Sequence, residues 1–482
     1  MGFKIMGERL FICVGEQLRS IRPICGFSGY ILASFLFVFS STVYGEEPGA
    51  EDTGEARNTI FLSDDGATVS DNDVMSDLDD SITLSMGGDV RVRWEYWDAF
   101  AFNPDLQDDY FLVRLRLHSD ISFRNWLRIF VEGKSAGATE RDLPGGRRTL
   151  DVDTLALQNA YVEISVPLAP AGEFTLRPGR QELLYGSQRL VSPLDWSNTR
   201  RTFDGGTVIY EHGIWNIDAF WVRPVEIRKY KWNKTDTDTD FFGVYAARND
   251  PGDDIEIDLY WLGVDGSGVM FGERLAREER YTVGMRMGSP PGLHGLDFDV
   301  EGAWQYGDHG DRDIRAFFLA SELGFTFEEA AAAPRVHTGL DYASGDRDRN
   351  DGTLNTFNQL FPLGHAFLGY ADMIGRQNIV AGSLGLTLSP SESLRIRIDG
   401  HHFRRASRSD AVYNAGGQVL RSGDAGNESE VGTEMDITLT YRFTPDTSTL
   451  LGYSRFWAGS FIRESGPSGN LDFAYASISQ RF

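Results

Sequence analysis

The stretch RPGRQELLYGSQRLVSPLDWSNTRRTFD, residues 177–204, gathers Arg177, Arg180, Gln181, Glu182, Arg189, Asn198, Arg200, Arg201 and Asp204. A guanidinium is a planar fork of donors that grips a carboxylate through two parallel hydrogen bonds, which a lysine cannot do. Acids and amides set among arginines suit a surface that holds an anion and then releases it. The chemistry implied is recognition of a carboxylate-bearing solute. The plainer alternative is that Arg180, Glu182 and Arg189 pair with one another and hold a loop down. Two other spacings invite chemistry and carry less. GKSAG at 133–137 has the form of a nucleophile elbow around Ser135, but it ends an alternating segment, and no histidine and acid are assigned to it. DRDRNDG at 346–352 offers alternating oxygens at Asp346, Asp348 and Asn350. Asp351 stands where a calcium-binding hand needs glycine, and Phe357 where it needs an acid, so only a looser loop calcium site is left as a cofactor expectation. His401 and His402 are consecutive and, on a strand, point to opposite faces, so they cannot chelate one metal together.

The elements that would carry these residues alternate at period two. In YFLVRLRLHSDISFR, 110–124, one face is Phe111, Val113, Leu115, Leu117, Ile121 and Phe123, and the other holds Arg114, Arg116, His118 and Asp120. A helix would scatter Arg114 and Arg116, whereas a strand gives one apolar and one charged face. DIEIDLYW (254–261), LDFDVEGAWQY (296–306), SLRIRIDG (393–400) and EMDITLTYRF (434–443) repeat the pattern. Such segments number eighteen, starting near 82, 109, 126, 156, 173, 205, 214, 241, 254, 280, 295, 314, 335, 378, 393, 432, 448 and 471. Short turns alternate with long polar loops at 137–155, 184–204, 224–240, 265–279, 344–377 and 405–431. That asymmetry, with an even strand number, predicts an all-β, transmembrane antiparallel β-barrel with short periplasmic turns and long extracellular loops. A sandwich would have to bury eighteen apolar faces in one core, and a propeller needs a repeat of fixed length that is absent. The final strand alternates up to a terminal aromatic, Phe482, as bacterial outer-membrane barrels do.

On this reading the charged faces line a pore. The lumenal cations are Arg91, Arg93, Arg114, Arg116, Arg128, Lys134, Arg286, Arg395 and Arg397. The lumenal acids are Glu132, Asp254, Glu256, Asp258, Asp297, Asp299, Glu301 and Asp399. Cations gather in strands one to three and fifteen, acids in strands nine to eleven, so the wall is bipolar.

The rest of the chain concerns destination. Lys4, Arg9, Arg19 and Arg22 precede the apolar run GYILASFLFVF, and small residues follow in STVYG. Residues 1–45 therefore read as a secretory signal, since the apolar run is shorter than the roughly 20 residues of a spanning helix. Residues 46–80 are acidic and aperiodic and read as a flexible tail, leaving 81–482 as the barrel. Both cysteines, Cys13 and Cys25, fall inside the signal, which suits an exported body without thiols. The net charge of −25 argues against nucleic acid as a partner.

The stretch 177–204 resembles the central motif of the alginate export family, outer-membrane barrels known for passing the anionic polysaccharide alginate. SGDRDRNDGTLNTFNQLFPLGHAFLGYADMIGRQNI, 344–379, is similar to the same family in its Gly-Asp-rich start and in its run of TFNQLFP, a histidine (His365), GYAD and QN. The resemblance implies an eighteen-stranded barrel in the outer membrane of a Gram-negative bacterium, set among lipid and lipopolysaccharide. It implies a channel for anionic polysaccharide or oligosaccharide; the charged strand faces supply Arg91, Arg93, Arg114, Arg116, Arg128, Arg395 and Arg397 as expected pore contacts, and the family-like segment supplies Arg177, Arg180, Gln181, Glu182, Arg189, Arg201 and Asp204. Periplasmic export or uptake components would be its partners. A general anion-preferring diffusion porin and an outer-membrane hydrolase are the alternatives to that channel.

Overall fold

The computed structural model describes residues 82–482 apart from 170, 251–253 and 294. The expected signal, 1–45, and the expected acidic tail, 46–80, lie outside the described residues.

Eighteen long strands form the wall. They are Ile82–Asp98 (β1), Asp108–Phe123 (β2), Leu127–Ala138 (β3), Asp153–Leu168 (β4), Gly172–Gln181 (β5), Phe203–His212 (β6), Trp215–Glu226 (β7), Thr239–Arg248 (β8) and Glu256–Phe271 (β9). The second half comprises Arg274–Leu293 (β10), Leu296–His309 (β11), Arg312–Thr326 (β12), Arg335–Ala343 (β13), Ile379–Ser391 (β14), Leu394–Arg405 (β15), Glu430–Arg442 (β16), Thr447–Ala458 (β17) and Leu471–Arg481 (β18). Each pairs antiparallel with the next. The ring closes between β1 and β18, where Asp89 lies opposite Arg481 and Asp98 opposite Asp472. Gly88 and Phe482 exchange backbone hydrogen bonds of 2.8 and 3.1 Å at the seam. No edge is left unpaired, which is what lets strands cross a medium that offers no hydrogen bonds. No helix among the described residues is long and apolar enough to cross a membrane.

Alternation sets the two faces. On β2, Phe111, Leu115 and Leu117 are exposed outward, while Tyr110, Leu112 and Arg114 are buried inward. The register carries this across neighbours, with Arg91 opposite Arg114 and Asp89 opposite Arg116. The outward face is aliphatic at mid-height and aromatic towards both ends, with Trp126, Phe325 and Phe443 below and Trp221, Trp304 and Tyr453 above. Here "below" means the rim where β1 begins and β18 ends.

Most lower turns are short, and the upper rim carries the long loops. One expected loop is absent: 265–279 is a continuation of β9 and β10 around a two-residue turn at Gly272 and Glu273. Gly272 takes φ +60, the left-handed geometry a tight hairpin needs. The polar run DGSG looked like loop, but it is absorbed as a register shift between Gly266 and Val269. The upper turn at 310–311 is equally short, so the asymmetry of the rims is a tendency that two hairpins break.

The core lies within the barrel, not within the wall. In the upper half the inward face sets an apolar cluster among buried charged side chains: Phe203, Phe241, Phe403 and Phe456 are fully buried, and loop residues Val191 and Phe357 pack against the same cluster. The short helix Ser460–Ser465 (α1) adds Phe461 and Ile462. Two upper loops, 182–202 and 344–378, have folded inward onto this surface.

Candidate functional site

The two inward loops meet inside the lumen. Val191 bridges Phe361 in parallel register, with backbone bonds from Ser192 to Phe361 and from Phe361 to Leu190, each of 2.9 Å. Trp196 of the first loop stacks on His365 of the second at 3.6 Å between centroids. The Arg93 guanidinium covers the other face of Trp196 at 3.9 Å. The segments that most resembled a known motif thus form one inner structure.

The bipolar wall holds the first loop at both ends. On the cationic side, Arg91 donates to the carbonyls of Asp195, Trp196 and Ser197 at 2.9, 3.2 and 3.0 Å, and Arg93 donates to Trp196 at 2.7 Å. Arg114 Nη2 lies 3.0 Å from the Asp195 carboxylate. Lys134 bonds the carbonyl of Thr199 and pairs with Asp153 at 3.0 Å. On the acidic side the loop presents Arg189 to Asp299 and to Glu301 at 3.1 Å. A loop with an acid at one wall and an arginine at the other is matched in charge to the field it spans.

Asn198 is the loop's polar anchor. It is buried, and its amide donates to the carbonyls of Val113, Gly137 and Asp151 at 3.1, 3.1 and 2.9 Å. The second loop is tied by Arg376, which forks onto Asp341 with two 2.9 Å bonds. Gln305 of β11 and Asn358 exchange a side-chain and backbone pair of bonds at 2.7 and 2.8 Å. At Gly369, with φ +86, an added Cβ would stand 2.4 Å from the Glu434 carboxylate. That carboxylate accepts from the Ala371 amide at 2.8 Å, so a side chain at 369 would push the loop off it.

The expected pore residues divide accordingly. Arg91, Arg93 and Arg114 face inward and are spent on the first loop, each 8% exposed or less. Arg116 pairs with Asp89 and sits 3.6 Å from Glu132. Lower down, Arg128 forks onto Asp120 and reaches Glu163 at 3.2 Å, which also accepts from Arg177 at 2.6 Å. Gln181 is buried between the carbonyl of Arg177 and the hydroxyl of Thr207. Glu182 takes the fork of Arg200, 2.7 Å at Nε. Arg201 donates to the Ser192 carbonyl at 3.1 Å over the Phe361 ring, and burial pulls its guanidinium down to about 10. Arg397 pairs with Asp399 at 2.6 Å. Arg395 is exposed below it.

Two of the expected contacts point the other way. Arg180 and Asp204 are in register and fork together at 2.6 and 2.7 Å. Asp204 follows the inward, fully buried Phe203, and its other register partner is Arg223, next to the inward Val222. The pair therefore lies on the outer side of the wall near the upper rim. The charge density of 177–204 concealed that this segment includes strand ends, where one residue's shift changes the face. Arg180, Glu182 and Arg189 do not pair with one another, as the plainer alternative had it, but with Asp204, Arg200 and the acidic wall respectively.

Asp195 and Trp196 were not singled out from sequence, and His365 entered only as one letter of the family-like run in 344–379. Aspartate and tryptophan side by side after proline gave no signal of their own. Partial burial raises the Asp195 carboxyl, yet Arg114, Arg200, Arg91 and Arg116 together hold it well below the usual carboxylate range. Burial likewise opposes ionised Glu182, and Arg200 and Arg116 with Gln158 bring it below its ordinary value.

The weaker motifs find ordinary places. Ser135 lies on the outward face of β3 and donates to the Thr154 carbonyl at 2.8 Å. His401 faces inward and His402 outward, where it meets Thr433 at 3.1 Å. Asp346 turns inward beside Asp410, whose carboxylate accepts the Asp346 amide at 2.9 Å, while Asp348 caps the amide of Asn350. Among the described residues no group of three or more histidines, cysteines or acids is placed to hold a metal ion.

Residues 82–474 match the family model for alginate export. No curated protein matches the sequence. Among solved structures, the fold is similar to the Pseudomonas aeruginosa outer-membrane protein OpdK, with TM-score 0.56 and 11% identity over 83% of this chain and 99% of that one. It is similar to P. aeruginosa OprD, with TM-score 0.54 and 12% identity over 82% and 93%. It is also similar to P. aeruginosa OccK2 (OpdF) in complex with glucuronate, with TM-score 0.54 and 10% identity over 83% and 96%. At these identities the likeness is one of fold. With a closed eighteen-stranded barrel whose lumen is built from the two segments that resembled the family, the chain belongs to the alginate export family and is an outer-membrane channel.

Proposed function

We propose that the channel passes acidic saccharides, anionic polysaccharide or oligosaccharide, along its arginine-bearing wall. The observation that carries this is the vertical series of inward guanidiniums from Arg128 and Arg177 through Arg116 to Arg114, Arg91 and Arg200, each beside an acid. A uronate chain carries one carboxylate per sugar, so successive forks offer successive stations. The neighbouring acids keep each station weak enough to release. The glucuronate in the OccK2 complex supports a barrel of this architecture admitting an acidic sugar.

The same pairing favours a second reading. Where every guanidinium has an acid, little net positive charge is left, and the protein is a general anion-preferring porin. Planar-bilayer recording separates the two. The acidic-saccharide channel is blocked in a concentration-dependent way by oligouronates and not by neutral oligosaccharides of equal length. Equal effects of both sugars would leave the general porin, and no conductance would remove both readings.

A further inference from the structure

The upper arginine station is already filled, by the chain's own carboxylate. Asp195 Oδ1 lies 3.0 Å from Arg114 Nη2 and against Arg200 Nη1, and its Oδ2 is 4.0 Å from Arg91 Nη1. The three guanidinium side chains are 4%, 11% and 9% exposed, whereas that of Asp195 is 49% exposed. The cations stand behind, and the acid faces open lumen. Neighbouring acids differ: Glu95 is buried against Arg93 at 2.7 Å, and Glu182 is held by both arms of Arg200. Asp195 combines exposure, a position on a loop and contact with three cations.

We propose that Asp195 is a resident counter-ion in a carboxylate-binding site made by Arg91, Arg114 and Arg200, and that the carboxylate of an acidic solute takes its place in passing. This rests on the reading of the channel as one for acidic saccharides. Exchanging one carboxylate for another conserves the hydrogen bonds of the guanidiniums, so no bare cation is left, and the displaced Asp195 side chain, already 49% exposed, passes to water. Without Asp195, Arg114 would keep only Asp89 at 3.9 Å and Arg91 would lose the carboxylate it pairs with, and a site so weighted towards positive charge would hold the first polyanion too tightly to conduct. The site also survives the exchange. Arg91 and Arg114 keep their bonds to the backbone carbonyls of Asp195 and Ser197, which fix the forks while the side chain swings away.

The test is Asp195→Asn in the full-length protein, with Asp195→Glu beside it, in planar bilayers. Asn keeps the shape and removes the charge; Glu keeps the charge. In a potassium chloride gradient, the anion-to-cation permeability ratio of Asp195→Asn is expected to rise about threefold or more, and that of Asp195→Glu to stay at the wild-type value. Block of Asp195→Asn by a glucuronate or mannuronate oligomer is expected at about tenfold lower concentration, with longer blocking events. Unchanged or weakened anion preference in Asp195→Asn overturns the proposal, as does an equal shift in both variants, which would mark Asp195 as a packing residue. The reversal potential needs no saccharide. A channel that shows the chloride shift but no oligouronate block keeps the counter-ion and loses the acidic-saccharide reading. Wild-type block without the chloride shift does the opposite.

Discussion

Trp196 joins the first inner loop to the second and to the wall. One face takes the Arg93 guanidinium and the other the His365 ring, while Tyr475 of β18 meets its edge at 5.0 Å. His365 is steadied by Asp372 at 3.1 Å. A cation over an indole contributes about 0.5–2 kcal/mol, and an aromatic pair about 0.5–1.5 kcal/mol. Trp196→Ala is therefore expected to free the inner loops without unfolding the wall. Single-channel current should become noisier and its mean larger, while the thermal transition of the barrel stays near that of the wild type. A variant as quiet as the parent would show that the stack holds nothing. Acid should act on the same loop. The Asp195 and Glu182 carboxyls lie below their ordinary range in the folded protein, so their pairing stabilises the loop above about pH 4 and is lost as the pH falls through the lowered values. Conductance noise should rise on acidification below about pH 4 and be flat from there to neutrality. Noise that grows towards alkaline pH would contradict the sign.

At the scale of elements, the 182–202 loop is a strap between two walls of opposite charge, and Asn198 fastens its middle. Truncating Asn198 to alanine leaves the carbonyls of Val113, Gly137 and Asp151 without their shared donor in a buried place. The expected cost is about 1–3 kcal/mol, read as lower protection of the Asn198 region in hydrogen exchange with β2 and β3 still protected. Loss of protection throughout β2 and β3 would mean that the wall depends on the loop. The strands themselves were legible in the sequence, because a medium of lipid on one side and charge on the other enforces period two. Arg114 and Arg116 against Leu115 and Leu117 leave a single orientation. The loop was legible in composition only. Its arginines announced anion chemistry, but which of them meet a solute and which meet the protein depends on contacts between distant segments, such as Trp196 with His365 and Arg189 with Asp299. Arg180 and Asp204 misled for a local reason, since a strand end gives no alternation to fix the face. The hairpin at 265–279 misled because Gly-Ser-Gly reads as a break even where a register shift absorbs it.

For the molecule as a whole, the outward face must be the lipid face, and depth in the bilayer must grade the cost of charge on it. Leu117 is 51% exposed and lies on β2 between Phe111 above and the Phe123 and Trp126 region below, so it sits near mid-height of the apolar belt. Leu117→Arg is expected to lower folding stability in bilayers by about 2–4 kcal/mol, and Phe123→Arg, near the lower interface, by about 1 kcal/mol or less from the charge itself. Arg116→Leu, one residue from Leu117, fails for another reason: it leaves Glu132 without its cation and Asp89 with only the more distant Arg114, at 3.9 Å. The comparison to run is reversible denaturation in bilayers and in micelles. The Leu117→Arg penalty belongs to hydrocarbon and should shrink in the thinner, more deformable micelle. The Arg116→Leu penalty belongs to the protein interior and should persist. Equal penalties for Leu117→Arg and Phe123→Arg, or a Leu117→Arg penalty that ignores the surrounding amphiphile, would mean that this face of β2 does not meet lipid.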